Sequence, residues 1–211
     1  MKFPSILIFI NLYRSPLKTL SYSSAKKWLK GNDSDEMIYG NKNSQINCEH
    51  IVPQSYIKKY KIDNKSKSDL HILYLSNSRL NSHRQNYKFN NLYHNFISLD
   101  ENGKLTRNKI YCKKNLKLQE FEPPEKSKGK IARSVGYFYW NYSPIFEHKL
   151  LDRKVLVDWN HQYKVTKEEK ERNEKIFQVQ KNKNLFIDYP ILIPILLSPP
   201  IFFLRKYFDS K

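Results

Sequence analysis

Two short stretches carry side chains whose types and spacing suit hydrolytic chemistry. The first is CEHIVP at residues 48 to 53, which sets Glu49 beside His50. The second is SDLHILYLSNSRLNSHRQN at residues 68 to 86, which contains Asn77, Asn81 and Arg84. A carboxylate from Glu49 and an amide oxygen from Asn81 are the hard ligands that Mg²⁺ prefers, with water completing the shell. His50 would then stand next to the ion without ligating it. A neutral imidazole with an ordinary pKa near 6.5 can take a proton from water at physiological pH. Water activated in this way can attack a phosphodiester while the metal steadies the charge that develops on phosphate.

That chemistry requires the two stretches to fold onto each other. CEHIV reads as a strand or strand-like turn, KKYKIDNKSKSD as a basic loop and LHILYL as a second strand rich in β-formers. Ser76 and Asn77 are suitable caps for a helix through RLNSHRQN. On that helix Asn77, Asn81 and Arg84 recur at i, i+4 and i+7 and share a face, while Leu80 and Tyr87 lie on another. Three more helices are expected: residues 21–31, capped by Ser23 or Ser24 and ended at Gly31; residues 128–142, opened after Pro123-Pro124; and residues 168–180, with Ile176, Phe177 and Val179 inward. Trp159 is expected between the last two. The chain reads as α+β, a helix-rich single domain.

The 211 residues, 39% apolar and 14% aromatic, suffice for a real core. A formal net charge of +18 favours polyanionic partners, nucleic acid or an anionic membrane surface. Cys48 and Cys112 form at most one disulfide and no C-x-x-C pair, so the compartment stays open. MKFPSILIFINLY resembles a minimal signal peptide without an A-x-A cleavage site. PILIPILLSPPIFFL carries four prolines and is shorter than the ~20 residues of a membrane span, which suggests a packed or docked tail.

An ordered motif series gives these pieces a common frame: YSSAKKWL, CEHIVPQS, SDLHILYLSNSRLNSHRQN, FEPPEKSKGKIARSVGYFYWNY and ERNEKIFQVQKNKNLFIDYP. Over residues 19 to 190 the chain resembles the endonuclease I group of the ββα-metal (His-Me finger) nucleases. The resemblance implies a sugar-nonspecific nuclease that uses one Mg²⁺, with Mn²⁺ or Ca²⁺ as substitutes, and leaves 5′-phosphate ends. It implies double-stranded DNA as substrate, extending to single-stranded DNA and RNA, and a monomer without an obligate protein partner. Position by position, His50 falls on the general base, Glu49 on the first metal ligand and Asn81 on the helix asparagine that completes the site. Residues 1–18 stand outside the resemblance as a weak signal or anchor, and residues 191–211 as an apolar tail.

The sequence departs from the family pattern in several places. The loop after CEHIVP is shorter than in secreted members and lacks their arginine, leaving Lys58, Lys59 or Lys61 to meet phosphate. Lys67 replaces a frequent glutamate, His83 an aspartate and Leu185 a proline, and the secreted members' disulfides are missing. Arg79 and Arg84 are further candidates for nucleic-acid contact, Arg84 with pairing to Glu49 as the alternative. His71 and Asp69 read as structural, Asp69 by holding backbone amides, Arg133 as half of a buried pair and Asn86 as a cap after the metal helix. The rival reading is a basic nucleic-acid-binding protein derived from a nuclease that no longer cuts. A membrane-associated structural protein held by the tail is a third.

Overall fold

The computed structural model describes residues 13, 16, 18–33, 37–43, 45–142 and 150–197. The expected leader through residue 12 and the tail from residue 198 lie outside the described residues.

The first helix, α1 (Tyr22–Asn32), is capped by Ser21. The serine hydroxyl accepts from the Ser24 amide at 3.1 Å, so the cap lies two residues ahead of the expected Ser23. The next strand, β1 (Ile46–His50), runs into a short α2 (Gln54–Lys59). Two 3₁₀ turns, Asn64–Ser68 and Leu70–Ile72, precede β2 (Leu73–Asn77). The second strand therefore starts three residues later than LHILYL suggested, because the Asp69 carboxylate accepts from the His71 amide at 2.9 Å and turns the chain there. The helix α3 (Ser78–Arg84) follows without a loop. Its cap is Asn77, whose Oδ1 accepts from the Arg79 and Leu80 amides at 2.9 and 3.0 Å.

The strands β1 and β2 pair antiparallel in a register that sets Glu49 opposite Tyr74 and His50 opposite Leu73. Every residue of β2 is buried, because it separates two apolar clusters. Leu73 and Leu75 pack with Ala25 and Leu29 of α1, while Tyr74 belongs to the main core. Gly40 lets the preceding chain approach closely. Its φ is +79°, and a Cβ there would stand 2.5 Å from Asn77 Cβ.

A second sheet, unforeseen in the sequence, comprises β3 (Lys88–Phe89), β4 (Ile97–Leu99), β5 (Cys112–Asn115) and β6 (Glu120–Glu122) in the order β3-β6-β5-β4. Only the β3–β6 pair is parallel. The long α4 (Glu125–Asn141) begins directly after Pro124, three residues before the expected start, with Glu125 favourably placed in its first turn. It is followed by α5 (Arg153–Gln162), α6 (Lys167–Gln180), α7 (Leu185–Asp188), a 3₁₀ turn at Pro190–Leu192 and α8 (Ile193–Leu196). Trp159 is buried, donating to Asn91 Oδ1 at 3.0 Å under the Lys128 ammonium of α4. Gly129 sits where α4 meets the α5–α6 connection, and a Cβ there would stand 2.5 Å from the Tyr163 carbonyl oxygen. Arg133 makes the expected buried pair, with Glu169, at 2.6 and 2.7 Å.

Strands and helices thus build an α+β protein. Near both limits of the described residues, side chains reach into the core. Tyr13 is buried and donates to Asp188 at 2.8 Å. Ile193 and Leu197 are buried as well, so the start of the expected tail is packed. No helix among the described residues is long and apolar enough to cross a membrane.

Candidate active site

At the end of the β1–β2 ladder, Cys48, Glu49, His50, Gln54, Asn81 and Arg84 line an open cavity of about 280 Å³. Four predicted site residues, two from adjacent positions of β1 and two from α3, therefore meet in one place.

Glu49 is almost wholly buried. Its Oε1 accepts from the Tyr39 hydroxyl at 3.2 Å and stands 3.3 Å from Arg84 Nη1. Both partners hold the same oxygen, and Oε2 has no hydrogen bond among the described residues. Burial pushes the Glu49 carboxyl up to about 7, against the opposing pull of the Arg84 guanidinium and the Tyr39 hydroxyl. Arg84 thereby takes the carboxylate pairing rather than an open position. It also donates to the backbone oxygens of His50 at 3.0 Å and Ile51 at 2.7 Å, which ties α3 to the end of β1.

The two remaining groups are oriented by their second atoms. Asn81 Nδ2 donates to Asn47 Oδ1 at 2.9 Å and to the Cys48 carbonyl at 3.1 Å. This leaves Asn81 Oδ1 as a free acceptor. His50 Nε2 lies 3.1 Å from the Lys67 carbonyl. A carbonyl only accepts, so Nε2 carries the proton and Nδ1 the lone pair. Gln54 Nε2 is 3.3 Å from the same ring nitrogen, and a protonated Nε2 calls for the Gln54 amide oxygen to face it. Nδ1 has no hydrogen-bond partner among the described residues. Burial lowers the His50 pKa to about 4, against the ordinary 6.5 assumed from sequence, despite the help of the Lys67 carbonyl. The ring is therefore neutral throughout the physiological range.

A single carboxylate oxygen and an oriented amide oxygen on one cavity wall form a hard donor pair. They fit a divalent cation that keeps most of its water. No cluster of three or more His, Cys, Asp or Glu suited to a metal exists among the described residues.

A family model described as Endonuclease I matches residues 13–191. The chain belongs to the endonuclease I family. Among curated relatives of this endonuclease I protein, Endonuclease-1 of Buchnera aphidicola subsp. Acyrthosiphon pisum is 32% identical over 162 residues, covering 70% of this chain and 61% of the relative. Periplasmic deoxyribonuclease of Aeromonas hydrophila is 32% identical over 127 residues, covering 59% of this chain and 49% of the relative. Extracellular deoxyribonuclease of the same organism is 29% identical over 127 residues, 59% of this chain and 50% of the relative. The endonuclease I chain thus spans between about half and three-fifths of these relatives' lengths.

Other predicted residues of the endonuclease I chain stand apart from the cavity. Lys58, Lys59 and Lys61 are exposed on the last turn of α2 and just beyond it, a turn past Gln54 and Ser55 of the cavity wall. Arg79 is exposed but packs over Gly103, because two residues along a helix separate it from Asn81 by about 200°. His83 follows Arg79, binding the Gly103 carbonyl at 3.1 Å and Lys114 at 2.8 Å. Asn86 does not cap α3. Gln85 does, at φ 51° with its amide on the Asn81 carbonyl, and Asn86 turns onto the cavity wall.

Asp69 holds more than the expected amide. Its Oδ1 accepts from the His71 amide and from Gln180 at 3.0 Å, and its Oδ2 from Tyr137 and Tyr142, both at 2.7 Å. His71 is buried away from the cavity, with Nε2 on the Asn182 carbonyl at 3.3 Å. Sequence reasoning missed Tyr39 and the Lys67 carbonyl. Gln54 had a signal, since four residues past His50 at a proline-initiated helix it can reach back to the imidazole.

Proposed function

We propose that the chain is a Mg²⁺-dependent, largely sequence-independent endonuclease, and that β1, β2 and α3 form a ββα-metal motif around its active site. The observation that carries this reading is the tautomer of His50: Nε2 is bound to the Lys67 carbonyl, and Nδ1 keeps its lone pair on a ring that lines the same cavity as Glu49 and Asn81. Membership of the endonuclease I family and relatives named as endonuclease and deoxyribonucleases support DNA as the substrate.

In this reading His50 Nδ1 accepts a proton from a water molecule as the water oxygen bonds to phosphorus. The P–O3′ bond breaks, leaving a 5′-phosphate and a 3′-oxygen that takes up a proton. A phosphate held against Nδ1 favours the imidazolium and so raises the basicity that burial has lowered. Glu49 Oε2 and Asn81 Oδ1 would hold the divalent cation, which supplies Lewis-acid stabilisation of the phosphate charge when bound. Arg84 opposes the protonation of Glu49 that burial favours and holds the carboxyl in place. Lys58, Lys59, Lys61 and Arg79 contribute long-range attraction for the polyanion, while Arg84 stays paired with Glu49. Phosphate rather than base contacts imply little sequence preference, and the same site accepts single-stranded DNA and RNA. The enzyme acts as a monomer.

Plasmid nicking with and without EDTA tests the reading, using three variants. His50→Ala should lose ~10²–10⁴-fold in turnover with no rescue by added Mg²⁺. Glu49→Ala and Asn81→Ala should recover in part as Mg²⁺ rises, since each removes one oxygen ligand. Metal rescue of His50→Ala would overturn the division of roles. DNA binding without any cleavage would leave a nucleic-acid-binding protein.

A further inference from the structure

The lining of the cavity carries little net positive charge for a polyanionic substrate. Arg84 is committed to Glu49, and His50 is neutral. Lys67 acts on the His50 ring, and a further cation with no ion pair among the described residues belongs to α1. Tyr22 lies at the cavity rim, its ring 5.4 Å from the His50 ring. Lys26, one turn on, places its ammonium 4.8 Å from the Tyr22 ring centroid. Through Tyr22 it stands beside the His50 side of the cavity. Lys26 has no ion-pair partner among the described residues. Tyr22, Lys26 and Lys30 are all exposed, and their spacing of four places them along one stripe of the helix.

We propose that Lys26, seated on Tyr22, binds the phosphate adjacent to the one that His50 faces, and that the Tyr22–Lys26–Lys30 stripe is the surface along which the nucleic-acid strand leaves the cavity. The inference rests on the nuclease reading above and adds a binding surface to it. The aromatic seat restricts an otherwise mobile ammonium, so less freedom is lost when phosphate binds. A lysine suits this position because a single non-bridging oxygen can be met from many angles by a point charge.

The test is equilibrium binding of the intact chain to a short labelled duplex in EDTA, followed by fluorescence anisotropy across a salt series. Lys26→Gln should lower the slope of log K against log salt by about 0.9, one phosphate contact. Its affinity deficit should therefore shrink by roughly 3.5-fold between about 50 and 200 mM salt. Lys26→Arg should keep the wild-type slope. Lys27→Gln removes the same charge about 100° round the helix and should change the slope by much less. Tyr22→Ala should reproduce Lys26→Gln, with no further loss in the double variant, whereas Tyr22→Phe should resemble wild type. An unchanged slope in Lys26→Gln, or an equal loss in Lys27→Gln, overturns the proposal while leaving nuclease activity of the wild type standing. A wild type that neither binds nor cuts DNA overturns both readings together.

Discussion

Replacing His71 by leucine separates the two histidines that the sequence places near the chemistry. His71 is fully buried. Its Nε2 is bound to the Asn182 carbonyl, so its unprotonated Nδ1 faces the interior without a partner. Burial lowers its pKa from the ordinary 6.5 to about 4. Between those values the unfolded chain binds a proton that the folded chain refuses. The contribution is therefore fully present above pH 6.5 and is lost as pH falls toward 4. Integrating the two titrations makes wild-type folding less favourable by about 2.5 kcal/mol at pH 4.5 than at pH 7 from this residue alone. His71→Leu loses the hydrogen bond to Asn182, a cost of about 1–3 kcal/mol at every pH. It also abolishes the acid-dependent term. Urea unfolding of the metal-free protein at both pH values should show the variant losing about 2.5 kcal/mol less than wild type on acidification. Nicking at neutral pH should continue in the folded variant, since His71 lies outside the cavity. Parallel acid dependence in the two proteins would refute the buried-neutral assignment, and abolished nicking in a folded variant would put His71 in the reaction.

Arg84→Met should destabilise the protein by about 3–5 kcal/mol, because it strands the buried Glu49 carboxylate and two backbone oxygens; urea unfolding checks this, and a loss under about 1 kcal/mol would contradict the pairing. Gly129→Ala should cost about 1–3 kcal/mol by forcing a Cβ against the Tyr163 carbonyl, and an unchanged thermal midpoint would show that the contact relaxes freely. Truncation after Pro190 should cost about 3–6 kcal/mol, two buried aliphatic side chains, whereas truncation after Leu197 should spare them. Equal midpoints for the two truncations would show that Ile193 and Leu197 contribute nothing to the core.

Much of the centre was legible because its side chains lie on regular elements close in sequence. Glu49, His50 and Asn81 were selected by chemistry and by the strand–strand–helix pattern, and the structure brings all three to one cavity. What escaped was of three kinds. The Lys67 carbonyl that orients His50 is a backbone group, and a pattern of side-chain types cannot register it. Tyr39 reaches Glu49 through a close approach at Gly40, outside any regular element. Arg84 offered two chemically equal roles, and only burial decides between them: at 1% exposure the guanidinium must be matched by a carboxylate and carbonyls. Arg79, expected to meet nucleic acid, stands apart from the cavity because helical geometry turns it away from Asn81. The four-stranded sheet escaped because strands such as CKKN and EFE are too short and polar to show an alternating apolar pattern. By contrast, the helices at Glu125–Asn141 and Lys167–Gln180 were long enough for period and punctuation to reveal them to within three residues.

The clamp on His50 also bears on how such a centre can diversify. The carbonyl that holds the imidazole belongs to Lys67, two residues before Asp69, and Asp69 is anchored from α4, α6 and its own turn. The intervening tip around Lys61–Lys65 is largely exposed. Because closure entropy rises only slowly with loop length, residues can be inserted or deleted at that tip at little thermodynamic penalty. The anchors on either side keep such changes from propagating to the imidazole. Substrate contacts made from this loop can thus change while the geometry of the imidazole stays as it is.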